Sequence, residues 1–248
     1  MQSAPLPEVL ATFIRDRGDR QADHAALLAL AARCLETPPT RLDQRCPRCG
    51  SRDHGPLRAV VPAASAVPAV HVSLSRAGGW VALATTTAAP LGVDLESLTA
   101  ARVASFDEVA FAPDELRALA SHPAPVADRM RAMAWTAKYA ILKAHRTALH
   151  SAPRRLTLER ARSPEVPHSS RCAPRLQHSD LPGVTPSTTT LLDLPTPDPT
   201  DLVATVALLG TPAPSIRLTL VGPGPPHSPP ANRRSTTRIR PIDGYTPH

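Results

Sequence analysis

The pattern of apolar and polar residues predicts a β-hairpin in the middle of the chain. Residues 70–75 (VHVSLS) and 80–86 (WVALATT) are rich in the β-branched and apolar residues that strands favour. Residues 77–79 (Ala-Gly-Gly) between them have the composition of a tight turn. We therefore expect two antiparallel strands joined by a short connection.

A third strand is predicted at residues 91–96 (LGVDLE), where every second position is apolar. Successive side chains of a strand point to opposite faces, so the apolar set faces a core and Asp94 and Glu96 share the other face. Two carboxylates on one face can bind Mg²⁺, which takes oxygen ligands. Taken alone, such a pair is more often a solvated strand face than a metal site.

Composition and periodicity also predict three helices. Residues 24–35 are dominated by Ala and Leu, and residues 113–121 open with Pro and then acids, which suits a helix N-terminus. A longer helix is predicted over residues 126–146. Its core stripe, at helical spacing, consists of Met130, Ala134, Ala137 and Ile141.

The long helix contains the only two lysines of the chain, Lys138 and Lys143, among 28 basic residues. Lysine is a compact charge on a flexible stem, and arginine does not replace it at every site. Their clustering therefore indicates a function, with a soluble helix face as the alternative. Trp135, Tyr139 and Lys143 recur every four residues and are predicted to lie on one side of the helix.

The remaining segments are predicted to be irregular, apart from two strands. Residues 45–57 have the composition of a loop, and residues 151–200, rich in Pro, Ser, Thr and Arg, are expected to be irregular and partly mobile. Buried strands are predicted at 202–210 and 216–221, followed by a disordered tail at 222–248.

Composition and charge narrow the classes of function. The net charge of +7 and the pI of about 10 favour anionic partners. Only 3% of residues are aromatic, which leaves little surface for stacking bases, so a basic nucleic-acid-binding module is a less favoured alternative. No segment has the pattern of a signal peptide or a membrane span, and we expect a cytoplasmic protein.

Cys46 and Cys49 form a C-x-x-C pair with His54 close behind. A structural zinc site needs four ligands, and neither Cys34 nor Cys172 lies at a spacing that would supply them. A structural loop is therefore the favoured interpretation of this segment, with zinc binding as the alternative.

GVDLE at 92–96 and WTAKYAILKA at 135–144 together resemble the signature of 4′-phosphopantetheinyl transferases of the surfactin-synthetase-activating (Sfp) type. Upstream, CPRCGSRDHGPL (46–57) is similar to a Cys-Pro-x-Cys-Gly…His-Gly-Lys-Pro stretch of actinobacterial members. VSLSRAGGWVALA (72–84) is similar to the Ser-x-Ser-His-Ser-Gly-Gly hairpin of the family. The resemblance is in register over about residues 20–145.

The resemblance implies both a fold and a reaction. Members of this family transfer the phosphopantetheine arm of coenzyme A to a serine of an acyl or peptidyl carrier protein, often in secondary metabolism. The implied fold is α+β, with two similar halves related by a pseudo-twofold axis and coenzyme A between them. Here the halves would be residues 1–97 and 98–221, and we expect a monomer.

The resemblance also implies roles for individual residues. Asp94 and Glu96 would bind Mg²⁺, and Asp94 with the two lysines would form the catalytic set. Coenzyme A would be held by His54, Ser75, Arg76, Lys138 and Lys143.

The chain departs from the family pattern at three positions. Tyr139 replaces a Glu that is a metal ligand and general base in the family, and a neutral phenol with an ordinary pKa of about 10 is unsuited to either role. Arg76 replaces a His, and arginine can also bind phosphate. Pro56 follows Gly55 where the family has Lys, with Arg58 as a substitute. We favour a transferase that retains activity, with a catalytically weakened coenzyme A-binding paralogue as the alternative.

Overall fold

The computed structural model describes residues 7–35, 38–62, 69–103, 107–147, 151–159, 174–210 and 217–222. The strands in these ranges are β1 (Glu8–Arg15), β2 (Arg41–Gln44), β3 (Leu57–Val60), β4 (His71–Ala77), β5 (Trp80–Thr86), β6 (Leu91–Ser97), β7 (Leu156–Leu158), β8 (Leu176–Ser179), β9 (Thr189–Asp193), β10 (Leu202–Leu209) and β11 (Arg217–Leu220). The helices are α1 (Arg20–Ala32), α2 (Leu98–Val103), α3 (Asp107–Ala110), α4 (Pro113–Ala120) and α5 (Ala124–Ala144), and a 3-10 helix spans Pro153–Arg155. The predicted α+β class is confirmed.

Two sheets form the centre of the molecule. The first has the strand order β11-β1-β5-β4, and the second has the order β6-β10-β9. All their pairings are antiparallel except that of β11 with β1, which is parallel. Two small hairpins, β2–β3 and β7–β8, lie outside these sheets.

The predicted hairpin is confirmed as β4 and β5. Ala77 pairs with Trp80, and the two residues between them, Gly78 and Gly79, have φ angles of 55° and 75°. Two successive left-handed residues match the twist of a two-residue hairpin, and glycine adopts this conformation without steric cost. α1 covers one face of this sheet, and its N-terminus is capped by the Asp19 side chain.

The predicted strands at 91–96 and 202–210 are confirmed as β6 and β10. All eight residues of β10 are buried, because one face of this sheet packs on the first sheet and the other packs on α5. The alternation in β6 follows the prediction: Leu91, Val93 and Leu95 enter the core between the sheets, and Asp94 lies on the α5 side.

The two sheets meet where β4 runs beside β6. Among the described pairings, β4 and β6 share no backbone–backbone hydrogen bonds of a sheet. A serine side chain of β4 instead bonds to the backbone of β6. The Ser73 hydroxyl accepts a hydrogen bond of 2.9 Å from the Val93 backbone N–H. Ser75, two residues along β4, points into the same junction and bonds to Asp94.

α5 approaches β6 very closely at Gly92. A Cβ atom at this position would lie 2.1 Å from the backbone oxygen of Ala140 and 2.6 Å from the backbone nitrogen of Ala144. Both distances are far inside van der Waals contact, so a side chain at residue 92 is incompatible with this packing. The absence of a side chain at Gly92 therefore sets the distance between the long helix and the strand that carries Asp94.

One sequence prediction needs correction. Residues 151–200 were expected to be irregular, but their described part includes β7, β8 and β9, and β9 belongs to the second sheet. Its sequence, TTLLD, is a good strand segment, and the neighbouring prolines lie in the connections. The loop predicted at 45–57 is confirmed as far as Pro56, and the short strands that flank it, β2 and β3, were not predicted.

The strand predicted at 216–221 is confirmed as β11, and it extends the first sheet beside β1. The first sheet therefore contains residues from both proposed halves of the chain. The predicted tail lies outside the described residues apart from Gly222. Within the described ranges, none of the helices has the length and apolarity that crossing a bilayer requires.

We expect Gly92→Ala to destabilise the protein by at least about 3 kcal/mol, because the new methyl group must push α5 away from β6. Urea unfolding followed by the fluorescence of Trp80 and Trp135 would measure this. Gly222→Ala is the matched control, since its added Cβ meets no atom within 4 Å. Equal unfolding midpoints for wild type and Gly92→Ala would contradict the proposed packing constraint.

Candidate functional site at the junction of the sheets

The centre of the candidate site is an ion pair between β6 and α5. Lys143 Nζ lies 2.6 Å from Asp94 Oδ1 and also donates to the Ser75 hydroxyl at 2.9 Å and to the Val93 carbonyl at 3.0 Å. The Ser75 hydroxyl in turn donates to Asp94 Oδ1 at 2.9 Å. The structure therefore brings together three of the predicted site residues, from β4, β6 and α5.

The two carboxylate oxygens of Asp94 differ: Oδ1 accepts hydrogen bonds, and Oδ2 accepts none among the described residues. Burial raises the pKa of its carboxyl, and the charge and hydrogen bond of Lys143 oppose that rise. Its second oxygen, Oδ2, is buried and has no hydrogen-bond partner among the described residues. An unsatisfied buried carboxylate oxygen is costly, so this atom is a candidate ligand for a cation.

Glu96 lies two residues further along the same face of β6. One of its oxygens accepts a hydrogen bond of 2.8 Å from Trp135 Nε1. Burial, and next the negative charge of Asp94, raise the pKa of Glu96 to about 7. The effect of Asp94 on Glu96 indicates that the two carboxylates are electrostatic neighbours, as the strand period predicted.

Tyr139 occupies the position on α5 between Trp135 and Lys143. Its ring stacks on that of Trp135 with a centroid distance of 4.2 Å. Burial raises the pKa of the phenol, and the charges of Asp94 and Glu96 raise it further. Tyr139 therefore faces the carboxylate pair as a neutral group, and it brings no third carboxylate to them.

A cavity of about 230 Å³ opens beside Lys143. Its wall includes Lys143 and Arg146 from the end of α5, His71 and Ser73 from β4, and His54 from the loop between β2 and β3. Burial, and next the charge of Arg146, lower the pKa of His71, so this imidazole is neutral at pH 7. Lys143 and Arg146 are cations on this largely apolar wall; Lys143 is paired with Asp94, so the charge that favours an anion comes mainly from Arg146.

The sequence did not predict Arg146 as a site residue, but its backbone conformation is unusual. Its φ angle of 64° is the only left-handed value of a non-glycine residue in the described chain. The Arg146 N–H donates to Lys143 and the Thr147 N–H donates to Leu142, which is the Schellman pattern of a helix end, where glycine is usual. An arginine at a position where glycine is usual, and on the wall of a cavity, makes Arg146 a candidate functional residue.

Lys138 does not reach the cavity or the carboxylates. Its side chain is fully buried, and its Nζ donates to Glu115 at 2.6 Å and to the Ala110 carbonyl at 2.8 Å. The Glu115 carboxylate also accepts from the Ala112 N–H at the start of α4. The predicted contact of Lys138 with phosphate is therefore not seen, and the lysine instead joins α4 to α5.

Arg76 also lies away from the cavity. Residues alternate along β4, so Ser75 faces the junction while Arg76 faces α1, where its guanidinium bonds to Asp23 through two nitrogens at 2.6 and 2.8 Å. Burial, and next the positive charge of Arg58, lower the pKa of Arg146. Arg58 therefore lies near Arg146 and remains a candidate for an additional phosphate contact.

The residues present fit a hard divalent cation. Asp94 and Glu96 supply carboxylate oxygens on one strand face, and Asp94 Oδ2 is the unsatisfied atom among them. Mg²⁺ is usually held by one or two carboxylates together with water and substrate phosphates. The cavity is connected to this pair through Lys143, which lies on its wall and bonds to Asp94.

A model of the 4′-phosphopantetheinyl transferase superfamily matches residues 90–196. The matched region contains Asp94, Glu96, Tyr139, Lys143 and Arg146, whereas Ser75 and His54 lie before it. No curated protein matches the chain.

We expect Glu96→Gln to stabilise the metal-free protein above pH 7. The folded-state pKa of about 7 lies above the ordinary value of 4.5, so the wild type loses stability as the pH rises between these values. The variant lacks this loss. The free energy of unfolding of Glu96→Gln minus that of wild type should therefore be about 2 kcal/mol larger at pH 8 than at pH 5.

Urea unfolding across this pH range, in the presence of a chelator, measures the difference. Glu108→Gln, at an exposed carboxylate of α3, is the control and should leave the pH dependence unchanged. If wild type and Glu96→Gln kept a constant difference from pH 5 to pH 8, the environment described for Glu96 would be wrong.

Proposed function

Because the chain carries a domain of the 4′-phosphopantetheinyl transferase superfamily, we propose that it transfers phosphopantetheine from coenzyme A to a serine of an acyl or peptidyl carrier protein in a Mg²⁺-dependent reaction. The observation that carries this proposal is the contact of Lys143 with Asp94 at the edge of a cavity whose wall also includes Arg146. It combines, at one place, groups suited to phosphate and to a metal ion.

Coenzyme A phosphates would bind at the end of α5. Lys143 and Arg146 lie on the cavity wall, and Arg58 lies near Arg146. These cations can neutralise a pyrophosphate, and arginine can bind it through two parallel hydrogen bonds. Ser75 would orient Lys143 through the hydrogen bond that its hydroxyl accepts. It would not contact phosphate directly.

Asp94 and Glu96 would hold Mg²⁺. The ion, when bound, neutralises the pyrophosphate and the charge that develops on the leaving group. Ionisation of Glu96 is required for this role, and its raised pKa predicts that metal binding is accompanied by loss of a proton near neutral pH.

The transfer breaks a phosphoanhydride bond of coenzyme A and forms a phosphodiester with the carrier serine. Adenosine 3′,5′-bisphosphate leaves, and the serine proton must go to a base. Tyr139 is neutral and takes no part as a base, so a water molecule or another acid–base group accepts this proton. Catalysis then depends mainly on positioning and on neutralisation of phosphate charge by Lys143, Arg146 and the Mg²⁺ that Asp94 and Glu96 would hold.

The finer family assignment is also part of this proposal. The Sfp type and two similar halves, residues 1–97 and 98–221, belong to it. Two sheets, one covered by α1 and the other by α5, support a two-part fold, with β6 and β11 each lying in the sheet of the opposite half. Lys138 would support the site indirectly, because its bond to Glu115 fixes α4 against the helix that carries Lys143. Acidic carrier proteins would suit the net charge of +7.

The proposal is tested by incubating the full chain with apo carrier proteins, coenzyme A and Mg²⁺ and measuring carrier mass. Wild type is expected to add the phosphopantetheine mass, and Tyr139→Glu is expected to react faster because it supplies the missing carboxylate. Tyr139→Gln is the matched control, with the same size but no charge, and should bring no gain.

Coenzyme A binding without any mass gain, over several peptide, polyketide and fatty-acid carriers, would overturn the transferase proposal. It would favour the weakened paralogue, a candidate supported by the neutral Tyr139 beside the carboxylates. Absence of both binding and transfer would exclude coenzyme A as the ligand of the cavity.

We also expect Arg146→Gly and Arg146→Ala to weaken coenzyme A binding by about tenfold each, since each removes a charged hydrogen-bond donor. Only Arg146→Gly should raise stability, by about 0.5 to 1 kcal/mol, because glycine tolerates the left-handed φ angle of 64°. Calorimetric titration and urea unfolding of both variants measure the two effects. Unchanged affinity in both variants would remove Arg146 from the proposed site.

A further inference from the structure

The loop between β2 and β3 gathers two thiols and an imidazole. Cys46, Cys49 and His54 place their ligand atoms within 4.8 Å of one another, and Cys49 Sγ lies 3.2 Å from His54 Nε2. We propose that these three residues bind a zinc ion, at a site separate from Asp94 and Glu96. The sequence favoured a structural loop because neither Cys34 nor Cys172 lies at a spacing that would complete a set of four ligands.

The backbone of the loop is held in the shape that brings the three groups together. The Gly50 N–H donates to the Cys46 carbonyl at 2.9 Å, and the Cys46 N–H donates to the Ser51 carbonyl at 2.8 Å. These two bonds fold residues 46–51 into a tight turn with both cysteines on it. The β2–β3 hairpin fixes the two ends of the loop.

Gly50 and Gly55 give this loop its geometry. Gly50 follows Cys49 with a φ angle of 74°, a left-handed conformation that reverses the chain directly after the second thiol. Gly55 follows His54 with a φ angle of 106°, and a Cβ there would lie 2.7 Å from the backbone of Cys46. His54 is therefore next to a residue that packs on the backbone of the first cysteine.

A further hydrogen bond closes the loop. The Gln44 side-chain amide, at the end of β2, donates to the Gly55 carbonyl at 2.6 Å. Gly55 is thus held both by its packing on the Cys46 backbone and by the hydrogen bond from Gln44, and these contacts fix His54 relative to Cys46. Such prior organisation lowers the entropy cost of assembling three ligands around one ion.

The chemistry of the donors selects the metal. Two thiolates and one imidazole prefer zinc, whereas Mg²⁺ prefers oxygen donors such as Asp94 and Glu96. Cys46 is buried, but Cys49 and His54 are exposed, so a water molecule can complete a tetrahedral zinc site from the solvent side. Binding converts the thiols to thiolates and releases their protons to solvent.

The site also changes the role expected for His54. This residue and the adjacent Gly55, Pro56 and Leu57 form part of the cavity wall. With Nε2 bound to zinc, His54 would hold the wall in place and would not contact phosphate through that nitrogen. Zinc binding itself does not depend on the proposed transferase activity, so its test can succeed or fail independently.

The test uses the full chain purified without chelator in a buffer containing Mg²⁺. Elemental analysis should find about one zinc per chain, and replacement by Co²⁺ should give thiolate-to-cobalt charge-transfer absorption with the d–d bands of a tetrahedral site. Cys49→Ser and His54→Ala should each weaken zinc binding by at least about tenfold, since loss of a ligand costs at least as much as loss of its outer hydrogen bonds.

Matched controls separate this site from others on the chain. Cys34→Ser removes a thiol at the end of α1, and Asp94→Asn removes a carboxylate of the proposed Mg²⁺ site; both should retain zinc. Cys49 and His54 are exposed, so their variants should keep the circular dichroism spectrum of wild type. The inference is overturned if wild type binds no zinc at micromolar concentration, or if Cys49→Ser and His54→Ala bind it as wild type does.

Discussion

The close approach of α5 to β6 over Gly92 is the constraint on which the candidate site depends. A side chain at residue 92 would collide with the helix backbone, and any larger separation would move Lys143 away from Asp94. At the observed separation, Lys143 reaches the Asp94 carboxylate, the Ser75 hydroxyl and the Val93 carbonyl at once. The ion pair thus joins the helix to both sheets, and packing and electrostatics in this region cannot be altered separately.

The sequence predicted the parts of the fold that have a strong local pattern. β4, β5, β6, β10 and the long helix were all found from residue alternation, glycine turns and helical spacing. The β2–β3 hairpin and β9 were missed because their short strands are flanked by Pro and Gly, which dominate a composition-based reading. Their strand conformation depends on pairing with distant residues, such as β9 with β10, which no local pattern reports.

The candidate site was predicted in part for the same reason. Asp94 and Glu96 follow from the strand period, but Lys138 and Lys143 were treated as one phosphate-binding pair. Residues five positions apart on an α-helix point about 140° away from each other, so two such lysines face different neighbours. Arg146 was missed because its signal is a backbone angle, which becomes visible only when the helix end is built.

The pairing of β11 with β1 has a consequence for synthesis of the chain. Residues 8–11 bond to residues 217–220, so the edge of β1 gains this partner only after more than two hundred further residues have been made. Until then the nascent sheet presents an unpaired edge that could join another chain, the hazard typical of long-range strand pairing. The first sheet is therefore completed late in synthesis, when β11 joins β1 as its new edge strand.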